Sequence, residues 1–155
     1  MLPLTNKVFL TIIVPLYNEE EVLKSLHTRL ISALDSIDKP VKILYVDDGS
    51  VDNSWSILTE LQQGDSRVTL LSLSRNFGKE IAISAGLDYA KGKFVIIMDA
   101  DLQHPPELIP KFIDVAGEGY DIVYARAIGR KGYFWLKKKI INIFYKLINQ
   151  LVNFN

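Results

Sequence analysis

A chain of 155 residues, 48% apolar and 10% aromatic, is long enough for one domain with a real core and too apolar for a disordered segment. It has no cysteine, which excludes disulfides and thiolate metal sites. The formal net charge is zero, but residues 1–125 carry 18 acids against 11 Lys and Arg, and residues 126–155 carry 7 basic residues and no acid. That asymmetry suits cations at the body and anionic surfaces at the tail. Nucleic acid is not an expected partner. No secretory signal is visible, and no apolar run approaches the ~18 residues of a spanning helix.

In chain order, KVFLTIIVP (7–15) is an apolar run rich in β-branched residues and reads as a buried strand stopped by Pro15. NEEEVLKSLHTRLISALDSI (18–37) reads as a helix. Asn18 is its N-cap, three glutamates fill its first turn, and Val22, Leu23, Leu26, Leu30 and Leu34 form its apolar stripe. VKILYV (41–46) is a second strand, followed by the turn-rich DDGSVDNS (47–54) and a short helix over 54–63. RVTLLSL (67–73) is a third strand, SRNFG (74–78) a loop, and KEIAISAGLDYAKG (79–92) a helix ending near Gly92. KFVIIM (93–98) is a fourth strand. Pro105 and Pro106 suit the first turn of a helix running to about Glu118, and YDIVYA (120–125) is a fifth strand.

Strands apolar on both faces, alternating with helices, imply an α/β three-layer, Rossmann-like sandwich around a largely parallel sheet. Ligands in such sheets bind beyond the carboxyl ends of the strands. Acids and amides stand at those ends: Asn18 and Glu19 after the first strand, Asp47 and Asp48 after the second, Asp99 and Asp101 after the fourth. Residues two apart on a strand point the same way, so Asp99 and Asp101 are expected to aim at one point. Two converging ionised carboxylates repel unless a proton or a cation lies between them. Two oxygen ligands with open positions suit Mg²⁺ or Mn²⁺, completed by water and phosphate oxygens. The competing reading is a pair of solvated loop acids. The apolar strand in front and the acids on neighbouring loops weigh against it.

VPLYNEE (14–20), VDDGSVDNS (46–54), SRNFGKEIAISAGLDYAKG (74–92) and MDADLQHPPELIPKF (98–112), in this order and spacing, resemble family 2 glycosyltransferases of the GT-A fold. Within that family the sequence is most similar to the polyprenyl-phosphate branch, the bactoprenol glucosyltransferases and dolichyl-phosphate mannose synthases. The resemblance covers nearly the whole chain. It implies that Pro15, Tyr17 and Glu19 line the nucleoside pocket, and that Tyr45 and Asp47 flank the base, Asp47 accepting hydrogen bonds from it. It implies that Asp99, Ala100 and Asp101 wrap the ribose and diphosphate, with Asp101 the primary metal ligand and catalytic residue and Asp99 beside it. Gln103 is placed near the sugar or metal, and Arg126 and the lysines at 137–139 near donor or acceptor phosphates.

The implied reaction moves a hexose from a nucleotide diphosphate sugar, UDP-glucose ahead of GDP-mannose, to a polyprenyl phosphate at the cytoplasmic face of the membrane. A phosphate monoester acceptor has a second pKa of about 6 and is already largely anionic, so the need for a general base is weak. Relatives of this kind continue with acceptor-side elements and often two membrane-spanning helices. The alternative function is therefore a truncated, non-catalytic nucleotide-sugar-binding or membrane-associated module.

Other residues read first as structural. Asp48 and Ser50 hold their loop, with Gly49 supplying the turn. Lys79 opens a helix and either meets a donor phosphate or is a solvated lysine. His27 and His104 have no metal-ligand partner at useful spacing and are expected to be structural. Arg75 and Asn76 either shape the loop over the site or cap the next helix. A nucleotidyltransferase or a Rossmann dehydrogenase is disfavoured, because VPLYNEE lacks the glycine-rich loop that either requires.

Residues 1–125 are thus expected to form the donor-binding domain, and 126–155 a basic linker with an amphipathic helix. In YFWLKKKIINIFYKLINQLVNF (133–154), Leu136, Ile140, Ile143, Phe144, Leu147, Ile148 and Leu151 fall on one side at helical spacing. Lys138, Lys139, Asn142, Lys146, Asn149 and Gln150 gather on the other, the pattern of a helix lying in a membrane interface. The alternative is that the apolar side packs on further domain elements or on a second copy of the chain. Each lysine near an anionic surface adds about 1 kcal/mol, screened by salt, and the apolar side supplies the rest. Binding to anionic vesicles is expected to weaken but persist as salt rises. It should weaken strongly in Lys138→Glu/Lys139→Glu and nearly vanish in Phe144→Asp. Co-sedimentation reads this directly, and wild-type protein left in the supernatant at low salt would refute the membrane role.

Overall fold

The computed structural model describes residues 8–125. The expectations for Arg126, for the lysines at 137–139 and for a helix over 133–154 lie outside the described residues. The chain divides into two units, Met1–Ile122 and Val123–Asn155, and every element below belongs to the first.

Four strands form one parallel sheet: β1 (Leu10–Leu16), β2 (Val41–Asp47), β3 (Val68–Ser72) and β4 (Phe94–Ile97), in the order β3-β2-β1-β4. They alternate with α1 (Leu23–Leu34), α2 (Ser54–Gly64) and α3 (Lys79–Tyr89). After β4, a 3-10 turn over Pro106–Leu108 leads into α4 (Ile109–Gly117). All seven residues of β1 are buried, because helices cover both of its faces.

On one face, Leu10, Ile12 and Val14 of β1 and Ile43 and Tyr45 of β2 pack against Leu23, Leu26, Leu30 and Leu34 of α1, with Leu58 and Ile109 beside them. Burying one such leucine stabilises the fold by about 1.5–3 kcal/mol. On the other face, Ile13, Leu44 and Val46 meet Ala82 of α3. The result is the expected three-layer α/β sandwich. The buried Tyr45 hydroxyl also has a partner: it lies 3.1 Å from Nδ1 of the half-buried His27. Burial holds the imidazole below its usual pKa and pushes the phenol above its own.

Three local expectations are corrected. The first helix begins at Leu23 rather than Asn18, and no acid lies in its first turn. Asn18 adopts a left-handed φ of 55°, and the glutamates belong to a turn whose N–H groups are bonded elsewhere. The fifth strand does not form: residues 120–125 are irregular, with Ile122 and Tyr124 at least 80% exposed. A strand exists only through its ladder partner, and among the described residues β4 pairs with β1 alone. Finally, β4 ends at Ile97, so Asp99 and Asp101 lie on a turn and not on the strand. No helix among the described residues is long and apolar enough to cross a membrane.

Gly86 sets the distance between α3 and the sheet. A Cβ there would lie 2.6 Å from Ile13 Cγ2 and 3.2 Å from Val46 Cγ2. In an open helix Gly→Ala gains about 1 kcal/mol of helix propensity. Here the clash dominates, and Gly86→Ala is expected to destabilise by about 1–3 kcal/mol in urea unfolding. Unchanged or raised stability would show that α3 does not pack this closely.

Candidate active site

The strand order reverses at β1, with β2 and β3 on one side and β4 on the other. The crevice beyond the carboxyl ends at such a reversal is where parallel sheets bind ligands. A cleft of about 260 Å³ opens there. Pro15, Leu16, Tyr17 and Glu19 line it from the end of β1, Asp48 from the end of β2, and Asp99, Ala100 and Asp101 from the turn after β4. Asn76, Gly78, Lys79 and Ala82 complete it from the start of α3.

Seven of the expected site residues therefore meet in one cleft: Pro15, Tyr17, Glu19, Lys79, Asp99, Ala100 and Asp101. Three do not line it. Tyr45 is fully buried among the α1-facing side chains, because its position in the β2 alternation turns it away from solvent. A side chain sealed there cannot flank a base. Asp47 is 2% exposed, and its Oδ1 accepts the Ser50 N–H at 3.2 Å. Gln103 is exposed beyond the lining, and its N–H donates to Asp101 Oδ1 at 3.0 Å. Asp48, first read as a loop holder, both holds its loop and reaches the cleft.

The loops after β1 and β2 hold each other through side-chain oxygens. The Asn18 and Glu19 N–H groups donate to Ser50 Oγ and Ser54 Oγ, both at 2.9 Å, and the Glu20 N–H to Asp52 Oδ2 at 3.2 Å. In return Asn18 Oδ1 accepts the Val51 N–H at 2.9 Å, and Glu20 Oε2 accepts the Asn53 N–H at 2.8 Å. The buried Asp48 carboxylate fixes the third wall. Its two oxygens accept the N–H groups of Phe77 and Gly78, each at 2.8 Å. Gly49 must be glycine for this approach: its φ is +70°, and a Cβ would stand 2.5 Å from the Arg75 carbonyl carbon. Arg75 shapes the same loop by stacking its guanidinium 4.3 Å from the centre of the Phe77 ring.

The turn after β4 does what strand alternation was expected to do. Leu102 takes a left-handed φ of 59°, costing about 1–2 kcal/mol for a residue with a Cβ, while its side chain packs on the core. Pro106 is buried, and Arg29 donates to Glu107 Oε1 and Oε2 at 3.0 and 2.9 Å, tying the far end of the turn to α1. The turn folds His104 back so that its ligand atom and those of Asp99 and Asp101 all lie within 4.8 Å of one another. His104 thus stands close to two carboxylates, a proximity that its sequence spacing did not reveal. No periodicity could have disclosed this, because a left-handed leucine carries no sequence signal.

The cleft is electronegative. Lys79 Nζ sits 2.7 Å from Asp99 Oδ1 and answers one charge. Burial, then Asp101 and Asp52, hold the Glu19 carboxyl above its usual pKa, so this carboxylate already resists further negative charge. Two carboxylates and an imidazole suit a divalent cation of the Mg²⁺ or first-row kind.

A parallel α/β sheet with an acidic cleft at its reversal point and a D-x-D turn on one wall is the architecture of a GT-A glycosyltransferase. The chain belongs to glycosyl transferase family 2, whose family model matches residues 11–155. It is 46% identical over 142 residues to the uncharacterized glycosyltransferase sll0501 of Synechocystis, covering 92% of this chain and 45% of that protein. It is 47% identical over 116 residues to the undecaprenyl-phosphate 4-deoxy-4-formamido-L-arabinose transferase of Edwardsiella ictaluri, covering 74% of this chain and 36% of that one. Among solved structures it resembles the mannosyltransferase PcManGT from Pyrobaculum calidifontis, in complex with GDP-Man and Mn²⁺. That match has a TM-score of 0.50 and 28% identity, over 63% of this chain and 28% of the other. The family and fold expected from the four motifs are borne out. The chain spans less than half the length of the curated relatives it matches.

Asp48→Ala is expected to leave the Phe77 and Gly78 N–H groups without acceptors and to cost about 2–4 kcal/mol in urea unfolding. Amide exchange at both positions should accelerate. Unchanged exchange there would show that the loop is held by something else.

Proposed function

We propose that the cleft binds the nucleoside diphosphate of a nucleotide sugar through Mg²⁺ or Mn²⁺, and that the whole protein transfers a hexose from it to a polyprenyl phosphate. The observation that carries this reading is the convergence of Asp99 and Asp101 in a carboxylate-lined cleft at the sheet's reversal point, with the ligand atom of His104 within 4.8 Å of both. A diphosphate is itself anionic, and Glu19, Asp99 and Asp101 would repel it without a cation between them. Asp101 and Asp99 would hold that cation. Bound there, it would neutralise charge on the diphosphate as the sugar leaves.

The chain's own residues supply the frame. Lys79 adds a second positive charge on the Asp99 wall. Tyr17, 40% exposed and lining the cleft, offers a ring for the base or ribose, and Asn76 offers an amide on the facing loop. The Edwardsiella relative, named for an undecaprenyl-phosphate substrate, supports a polyprenyl phosphate acceptor. The Mn²⁺ complex of PcManGT supports the metal. The bactoprenol-like motifs favour UDP-glucose over GDP-mannose, and such an acceptor would put the work at the cytoplasmic membrane face. Because this chain spans less than half of its relatives, donor binding is assigned to it and transfer to the whole protein.

Calorimetry with UDP and GDP, with and without Mn²⁺ or Mg²⁺, tests this. UDP should bind more than about tenfold tighter with metal, a gain above about 1.4 kcal/mol, and Asp101→Asn should remove the difference. Equal affinity with and without metal would overturn the reading. Donor binding without labelled lipid, from UDP-glucose and undecaprenyl phosphate, would identify a donor-binding module.

A further inference from the structure

We propose that His104 is the third protein ligand of the cation site and that it makes the site select Mn²⁺ and later first-row ions over Mg²⁺. This rests on the reading of Asp99 and Asp101 as metal ligands. It extends that reading to a residue of different chemistry, one that sequence spacing places outside any ligand set.

The geometry is close to complete. Ligands about 2.1 Å from one ion stand about 3 Å from their neighbours and about 4.2 Å across. The three ligand atoms already lie within 4.8 Å of one another, so rotation of exposed side chains closes the site. Asp101 and His104 are both exposed and can make that adjustment. The backbone does not need to move. His104 precedes Pro105, which confines it to extended geometry, and Pro106 is buried immediately after. The Arg29–Glu107 pair then anchors the chain to α1. The carboxylates keep oxygens for the ion. Asp99 gives Oδ1 to Lys79 and Asp101 gives Oδ1 to the Gln103 N–H, leaving one oxygen on each.

The selectivity follows from the donor atom. Mg²⁺ takes oxygen ligands almost exclusively and releases its waters reluctantly, so an imidazole nitrogen gives it little. Mn²⁺ is larger and accepts nitrogen, and affinity for mixed nitrogen and oxygen sites rises along the first row. With carboxylates alone the site would not distinguish the two ions well. With His104 added, the nitrogen term acts mainly on Mn²⁺.

The test uses the full chain with UDP. Free Mn²⁺ is followed by its EPR signal, Mg²⁺ by competition, and the bound ion by electron spin echo modulation. Wild type should show a ¹⁴N coupling to bound Mn²⁺. His104→Ala should lose the coupling and at least about tenfold in Mn²⁺ affinity, since losing even an outer partner costs about 10–100-fold. Mg²⁺ affinity should change less than about twofold, and His104→Asp should recover binding while reversing the preference toward Mg²⁺. No ¹⁴N coupling in wild type would overturn the proposal, as would equal weakening of both ions in His104→Ala. Mn²⁺ binding that survives Asp101→Asn unchanged would instead overturn the underlying metal reading.

Discussion

The cleft depends on one constraint: loops at the end of a parallel sheet have backbone N–H groups that the sheet cannot satisfy. β1, β2 and β3 deliver three connections to one edge, and hydrophobic burial says nothing about the shape of those connections. Side-chain oxygens supply the answer. The buried Asp48 carboxylate takes the N–H groups of Phe77 and Gly78, and Ser50, Asp52 and Ser54 take those of the loop after β1. A hydrogen bond to an ionised, buried acceptor stabilises by about 1.5–3 kcal/mol, so a few such bonds fix the walls firmly. Several motif residues, Asn18, Ser50, Asp52 and Ser54 among them, are thus scaffold for those that face the cleft.

That division explains what the sequence disclosed and what it withheld. The strands and helices of the core were legible because burial imposes a pattern: four leucines on α1 and near-continuous apolar runs on β1 and β2 admit few other readings. The start of α1 was not. Asn18 followed by glutamates is the pattern of a helix cap, yet those same groups are used across the chain, on Val51 and Asn53. YDIVYA has the composition of a strand, but composition does not provide a neighbour to pair with. Tyr45 was misplaced because a strand buried on both faces does not reveal which face a given residue takes. The closeness of His104 to Asp99 and Asp101 was not legible because it depends on a left-handed Leu102, which sequence spacing does not encode.

Asp99 and Asp101 do converge as expected, but not by the expected route. Alternation along a strand was to aim Asp99 and Asp101 together, but β4 ends before either. A turn gathers them instead, and a turn can bring in a third residue that a strand would have turned away. The turn thus also places an imidazole nitrogen beside two carboxylates.

Charge closes the argument. In the described cleft Lys79 answers Asp99, and two N–H groups answer Asp48, while the charge of Asp101 acts on Glu19. A single ammonium therefore leaves the wall negative. A diphosphate entering alone meets repulsion, and a divalent cation entering alone finds only part of its coordination shell. On the proposed reading each would supply what the other lacks: the ion would neutralise the phosphates, and the phosphate oxygens would complete the ion. Under linkage this coupling is reciprocal, so whatever factor the cation adds to donor affinity, the donor adds to cation affinity.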